Sequence, residues 1–449
     1  MNSWNDLSDC VVKNAYCCGC GVCAGVCPQN ALEIRFDEYG EYRPHLVGNC
    51  TDCGLCWAVC PFANGNSNED DIAKRKFAHI QGINHKPETG YYMESYVGYA
   101  RDPDVRWRGA SGGLTTSLLC TLLEEHVVDY VITVSPMLGP DKLFEYRILD
   151  NAPDVMRSSK SAYYPVELSQ AVKFVRQNEA RFALVGLPCF VKAIELAGNA
   201  CPAIKRRLVF TVGLTCGQLK SKSYAEYLAQ MAGLTGKIKS VNFRVKDQCK
   251  PADNYAFEAE DLAGTKCKIL WSEGVGAVWC SGRFCLNACR YCDDVFAECA
   301  EIAFCDAWLH PHSKNAEGTN FMIDRIGLLN IKGCDVNRRM ALHPIPIADV
   351  IRSQTGVLVR KRSWIGANAG IERKGYYPSK RTPKFDKLSW FRRLKNRKFR
   401  LEMLKSRSWL DRRITGRARW AEIPLTGALV MCGIIINVMN WVLNRSRSR

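Results

Sequence analysis

The 449 residues carry 62 basic and 45 acidic side chains, a net charge of +17, with 47% hydrophobic content and 24 Cys. That length exceeds one ordinary domain, and the apolar share supports a sizeable core, which excludes a disordered chain. From Arg373 onward stand 21 basic and 4 acidic residues, so the first 372 balance at 41 and 41, a neutral body with one basic arm rather than a nucleic-acid-binding surface.

Residues 1–16 hold no apolar stretch of useful length, so no secretory signal is expected. Two cysteine runs follow. Cys17, Cys20, Cys23 and Cys27 precede Pro28, and Cys50, Cys53, Cys56 and Cys60 precede Pro61. Each reads C-x2-C-x2-C-x3-C-P, which wraps three thiolates around one 4Fe–4S cube and sends the fourth to the other cube. One cube is expected on Cys17, Cys20, Cys23 and Cys60, the other on Cys50, Cys53, Cys56 and Cys27. Zinc favours spaced pairs, and a disulfide scaffold does not group its cysteines this way. Thiolates kept reduced argue for a cytoplasmic setting. Asn49-Cys50-Thr51 fits a glycosylation sequon but has a cluster ligand inside it, and is discarded.

Residues 1–66 therefore read as a two-cluster ferredoxin-type domain and the polar stretch over 67–94 as a linker. From Tyr96 to about Ala348 the pattern is α/β, with an N-terminal part over 95–180 and a C-terminal part over 181–348. Gly112 to Glu125 reads as a helix with Leu114, Leu118, Leu119 and Leu122 on one face, and Val127 to Val134 as a buried strand. Phe182–Gly186 and Leu208–Leu214 read as strands, each running through a turn into a helix. Cys189 and Cys216 fall at their C-terminal ends, where open α/β sheets hold ligands. Cys289-x2-Cys292 offers two more thiolates and could complete a third 4Fe–4S site with that pair. Cys120, Cys201, Cys267 and Cys334 read as small core hydrophobes.

The chain resembles the beta subunit of coenzyme F-420 (deazaflavin) hydrogenases and dehydrogenases. The matching landmarks run in order: Ala110–Thr115, Ser158–Tyr163, Gly186–Cys189, Gly213–Cys216, Cys289-x2-Cys292, Asp306-x-Trp308 and Gly318–Asn320. The resemblance covers about residues 90–330 plus the N-terminal module. It implies FAD and a third 4Fe–4S cluster on Cys189, Cys216, Cys289 and Cys292, with Cys285 and Cys280 as alternates. In that family a Gly often precedes the Asp306 landmark; here Cys305 does. For the flavin it points to Ser111, Gly112, Gly113, Thr115, Ser159 and Lys160. A helix opening at Gly112-Gly113 presents bare N–H groups that suit a phosphate or a flavin carbonyl, or is simply a tight turn. No G-x-G-x-x-G follows a predicted strand and no P-loop occurs, so nicotinamide and P-loop chemistry are unsupported. Tyr163, Tyr164, His126, His310 and His312 could donate protons, but each reads first as structural, and no catalytic residue is assigned.

Beyond residue 348, the stretch 349–420 reads as a basic amphipathic region suited to an anionic surface, and 421–449 as an apolar anchor. Ile423 to Leu443 is 21 residues without a charge, long enough to span a bilayer, and the flanking cations would keep the body on the cytoplasmic face. The fold class expected is thus mixed α+β and α/β: a two-cluster ferredoxin-like domain, an α/β flavin- and cluster-binding domain and a helical tail. The implied function is an iron–sulfur flavoprotein oxidoreductase acting on an organic substrate or a deazaflavin. The alternative is a non-catalytic electron-transfer subunit of a membrane-associated complex. Expected partners are a redox protein such as ferredoxin, a small organic molecule and a membrane; nucleic acid is not expected.

Overall fold

Leu32–Phe36 (β1) and Tyr42–Leu46 (β2) pair antiparallel beside two short helices, Val22–Val26 and Leu55–Ala58, that grow out of the two cysteine runs. The computed structural model describes residues 3–331, 333–369, 378, 381, 397–407 and 409.

The linker expected over 67–94 is instead packed structure. Asn68 caps a helix, Glu69–Phe77, in a capping box with Asp71, and Asn84–Lys86 (β3) pairs with Gly90–Tyr92 (β4). The acidic triplet Glu69, Asp70 and Asp71, polar enough to suggest a loop, is the helix's first turn, where the dipole favours anions. Ile72 and Phe77 are buried, and Glu69 pairs with Lys192 at 3.3 Å.

The α/β body is built on one eight-stranded sheet. Across it run Met340–Pro344 (β15), Glu94–Ala100 (β5), Asn320–Asp324 (β14), Ile302–Asp306 (β13), Leu208–Leu214 (β9), Phe182–Gly186 (β8), Tyr130–Pro136 (β6) and Phe144–Leu149 (β7). The four central strands β6, β8, β9 and β13 are parallel, and the flanking pairs are antiparallel. Both expected parts, 95–180 and 181–348, contribute strands to this sheet. β8 is buried along its whole length, as an apolar run in a covered parallel sheet requires. The Leu114–Glu124 helix lays Leu114, Leu118 and Leu122 on one face of the sheet. The next strand begins at Tyr130, not Val127, because His126 turns left-handed and the Val127 and Val128 N–H groups close back on Leu122 O. A smaller antiparallel sheet, Ile238–Val245 (β10), Ala256–Asp261 (β11) and Lys266–Leu270 (β12), lies beyond β9 in sequence.

The basic amphipathic reading of 349–420 does not describe its first part. Ile347–Ala369 is one helix that buries Val350, Leu358, Trp364 and Ile365, so its apolar stripe serves the protein core. Residues 397–407 also lie on protein rather than on an open surface. Phe399 packs on Trp364 with ring centroids 4.2 Å apart, Glu402 binds Arg283 at 2.9 Å, and Ser406 accepts the Phe284 N–H at 3.0 Å. Arg407 reaches the ferredoxin-type unit, 4.7 Å over the Tyr39 ring and beside Glu41. Among the described residues no helix is long and apolar enough to cross a membrane; the segment 423–443 lies outside them.

Candidate functional site

The first cysteine run turns through Gly21, which is left-handed at φ +77° and packed so closely on Glu167 and Leu168 that any Cβ would collide. The tight turn curls the run inward. Cys17, Cys23 and Cys60 lie near one another. The Gly19 N–H points at Cys17 Sγ, 3.4 Å away. Burial pushes the Cys60 thiol up to about 12. Such thiols ionise when a metal takes the place of the proton, so iron loading here releases protons.

Cys27, Cys50, Cys53 and Cys56 line a single recess, walled on its apolar side by Trp4, Leu32 and Leu46. Cys50 and Cys53 are exposed, so this recess opens to solvent. Among the described residues no three His, Cys, Asp or Glu side chains converge on a single ion. Four thiols standing around a volume, with N–H groups aimed at sulfur, suit a bulky cluster better than one ion.

The third set is assembled by topology. β8 and β9 are neighbouring parallel strands, and their C-terminal ends deliver Cys189 and Cys216 to one edge of the sheet. The Asn287–Tyr291 turn brings Cys289 and Cys292 there, and each of the first two thiols lies near both of the second two. All four are buried, at 5–8% exposure. The Leu219 N–H lies 3.1 Å from Cys289 Sγ. Of the alternates, Cys285 is buried near Cys289 and donates to Leu286 O at 3.4 Å, whereas Cys280 is exposed.

Two residues at this site escape sequence reasoning. Cys18 is buried with Cys20 and Cys189 as close neighbours, so the first run stands beside the third set. Its signal was the Cys17-Cys18 doublet, absent from the second run. Tyr16 stacks edge-on against Tyr291, with centroids 4.6 Å apart, and Asn287 reaches Ala15 O at 3.4 Å along the same seam. Lys361 stands with its Nζ 3.4 Å from Cys292 Sγ, and nothing in its sequence neighbourhood marked it.

The flavin candidates lie on two segments, 111–115 and 159–160, and Lys246 borders both, at Ser111 and near Lys160. Ser111 donates to Thr319 O at 2.7 Å, and Ser159 to Met156 O at 2.6 Å. Gly112 is packed against Asn320 and Gly98, and Gly113 is the left-handed cap of the helix. The Leu114 N–H, expected to be bare, is taken by Asn320 Oδ1 at 3.3 Å, so the double glycine serves strand crossing before any phosphate. Thr115 is half-buried on the first turn. Lys246 links the Ser111 loop to its surroundings, donating to Arg106 O, Ser111 O and Glu317 O at 2.6 Å each. Burial pushes the Lys160 ammonium down, Arg108 adds to that, and Glu258 opposes it. Lys160 also lies close enough to Lys246 to repel it. Arg244 binds Asp306 at 2.9 Å and lies over the Tyr255 and Trp308 rings. Tyr163, first read as structural, stands against Trp279 at 4.6 Å and within hydrogen-bonding reach of Arg244. Cations beside aromatic faces form a donor set that fits an anionic, planar cofactor. His126 and His310 are exposed and Tyr164 is buried among Phe36 and Phe144, so none of these joins that set.

Family models for the coenzyme F420 hydrogenase/dehydrogenase beta subunit match residues 95–173 (N-term) and 179–327 (C terminus), and a 4Fe-4S dicluster domain model matches 16–64. A curated relative, the coenzyme F420-dependent sulfite reductase of Methanocaldococcus jannaschii, is 27% identical over 221 residues, covering 46% of this chain and 31% of the relative. The chain thus spans about a third of the relative's length. A chain from the F420-reducing [NiFe] hydrogenase complex of Methanosarcina barkeri aligns at 15% identity and a TM-score of 0.49, over 66% of this chain and 99% of that one.

Proposed function

The chain belongs to the coenzyme F420 hydrogenase/dehydrogenase beta-subunit family and bears a 4Fe-4S dicluster domain ahead of it, and from that premise we propose that it is an iron–sulfur flavoprotein oxidoreductase. It exchanges single electrons with a redox protein such as ferredoxin and carries out a two-electron conversion of a small organic molecule or a deazaflavin. The observation that carries this reading is the closeness of the first cysteine run to the third set, with Cys18 between Cys20 and Cys189. When bound, the cubes supply one-electron transfer and FAD supplies the conversion between one- and two-electron chemistry.

The residues divide the work. Cys27, Cys50, Cys53 and Cys56 hold the solvent-facing cube, Cys17, Cys20, Cys23 and Cys60 the middle one, and Cys189, Cys216, Cys289 and Cys292 the enclosed one. Ser111, Gly112, Gly113, Thr115, Ser159 and Lys160 would hold the flavin, and Lys160 and Lys246 would offer charge to its anionic groups. Tyr163 holds a proton at its hydroxyl beside Arg244. The segment 423–443 would fix the protein to the cytoplasmic face of a membrane, supported by its lack of charge and by the cations before it.

Protein purified anaerobically should carry about twelve irons per chain and bleachable FAD. Eight irons and no flavin would sink the reading. A second reading is favoured by the chain spanning only about a third of the curated relative: an electron-transfer subunit without an organic substrate of its own. Assays with reduced ferredoxin, reduced deazaflavin and small acceptors separate the two. Flavin reduced by the partner protein with no small molecule turned over would select the subunit.

A further inference from the structure

Lys361 lies in the Ile347–Ala369 helix, beyond the residues that the family models match, and is 2% exposed. Its Nζ donates to Asp294 O at 2.7 Å and to Cys216 O at 3.3 Å, and stands 3.4 Å from Cys292 Sγ. Two of those three contacts are made to members of the third cysteine set itself. A buried ammonium is costly unless a countercharge accompanies it. Lys192, its side chain 1% exposed, has one in Glu69, and the part-buried Lys76 has Glu195 and Glu301. Lys220, as buried as Lys361, is paired with no carboxylate among the described residues, but donates to Arg283 O at 2.6 Å and lies over the Tyr224 and Trp279 rings. Among the described residues no carboxylate lies within ion-pair distance of Lys361. The Asp294 carboxyl is near, but only its backbone carbonyl is in contact. The anion this lysine faces is therefore sulfur. The neighbouring Arg360 reaches Gly217 O at 3.4 Å, so one helix turn presents two cations to the set.

We propose that Lys361 is a positioning residue that supplies the countercharge of the third set and thereby raises the reduction potential of the cube held there, an inference that rests on that set holding a 4Fe–4S cube. Hydrogen bonds and net charge at the sulfurs are the levers by which a protein sets such a potential. A fixed cation favours the reduced, more negative form over the oxidised one. The lysine moves no proton and touches no substrate.

The test is an EPR-monitored redox titration of the full chain with iron analysis, comparing wild type, Lys361→Met and Lys361→Arg. Lys361→Met keeps the length and removes the charge; Lys361→Arg keeps the charge. With twelve irons retained, Lys361→Met should lower the ratio of reduced to oxidised third cube at a fixed potential by about tenfold. For one electron that is a downward shift of about 59 mV. The two ferredoxin-type cubes serve as internal controls and should not shift, and Lys361→Arg should keep most of the wild-type value. Loss of four irons in Lys361→Met but not in Lys361→Arg would also support the proposal, because the charge alone distinguishes them. An unshifted potential with full iron, or equal iron loss in both variants, would overturn it. Wild type with eight irons would instead remove the premise that the third set holds a cube.

Discussion

The second and third cysteine sets place the same four thiols in opposite surroundings. Cys50 and Cys53 are exposed on a recess that opens to solvent. Cys189, Cys216, Cys289 and Cys292 are buried, roofed by Lys361 and reached through Cys18. The first kind of site is encoded by spacing within a few turns of chain. The second needs two parallel strands, a turn some seventy residues further on and a helix further still. An open site suits exchange with a diffusing partner, and an enclosed one suits water-free work beside a flavin. The set between them, on Cys17, Cys20, Cys23 and Cys60, has a neighbour on each side: Cys23 lies near Cys56 of the second set, and Cys20 lies near Cys18, which is close to Cys189 of the third.

The largest effects should come from removing ligands of the enclosed set. Cys189→Ser should lose about four of twelve irons while the ferredoxin-type signals persist, by iron analysis and EPR. Cys53→Ser should lose a different four and leave the third set intact; loss of all twelve in either variant would mean that the sets do not load independently. Next come the contacts that enclose the site. Lys192→Met takes a cation from the buried Glu69 carboxylate, both partners being 1% exposed, and should cost about 3–5 kcal/mol in urea unfolding. A Lys192→Met/Glu69→Leu double variant should recover part of that, because both members of the pair are then gone. Phe399→Ala opens a gap over Trp364 and Gly282 and should cost about 3 kcal/mol, showing that residues 397–407 belong to the fold. A negligible cost would return this segment to the open-surface reading. In the ferredoxin-type unit, Gly21→Ala forces a Cβ into a left-handed residue packed on Glu167, at about 1–2 kcal/mol for the backbone alone. Smallest of all, Lys13→Ala removes an exposed pair with Asp9 and should cost below about 0.5 kcal/mol.

What the sequence disclosed follows the same division. The two cysteine runs, the strands Phe182–Gly186 and Leu208–Leu214 and the positions of Cys189 and Cys216 at their ends were legible, because each is a local pattern. The helix at Glu69–Phe77 was legible in principle from Asn68 and Asp71, a capping box that a polar composition masked. Cys18, Lys361 and Phe399 were not, since each gains its role from partners on other elements, distant in sequence. Over residues 349–369 and 397–407 the basic stretch misled for a physical reason, while most of the rest of 349–420 lies outside the described residues. A long Lys or Arg stem can cross a core and bring its charge to a buried anion, so charge density alone does not place a helix on a surface.

The central claim is that the first cysteine set bridges the open and the enclosed ones. Pulsed EPR on the fully reduced chain tests this most directly, through the magnetic interactions among its reduced clusters. The account predicts that the cube on Cys17, Cys20, Cys23 and Cys60 couples to two neighbours, and that Cys292→Ser removes one coupling while the other persists. A first cube coupled only to the cube on Cys27, Cys50, Cys53 and Cys56, unchanged by Cys292→Ser, would contradict it.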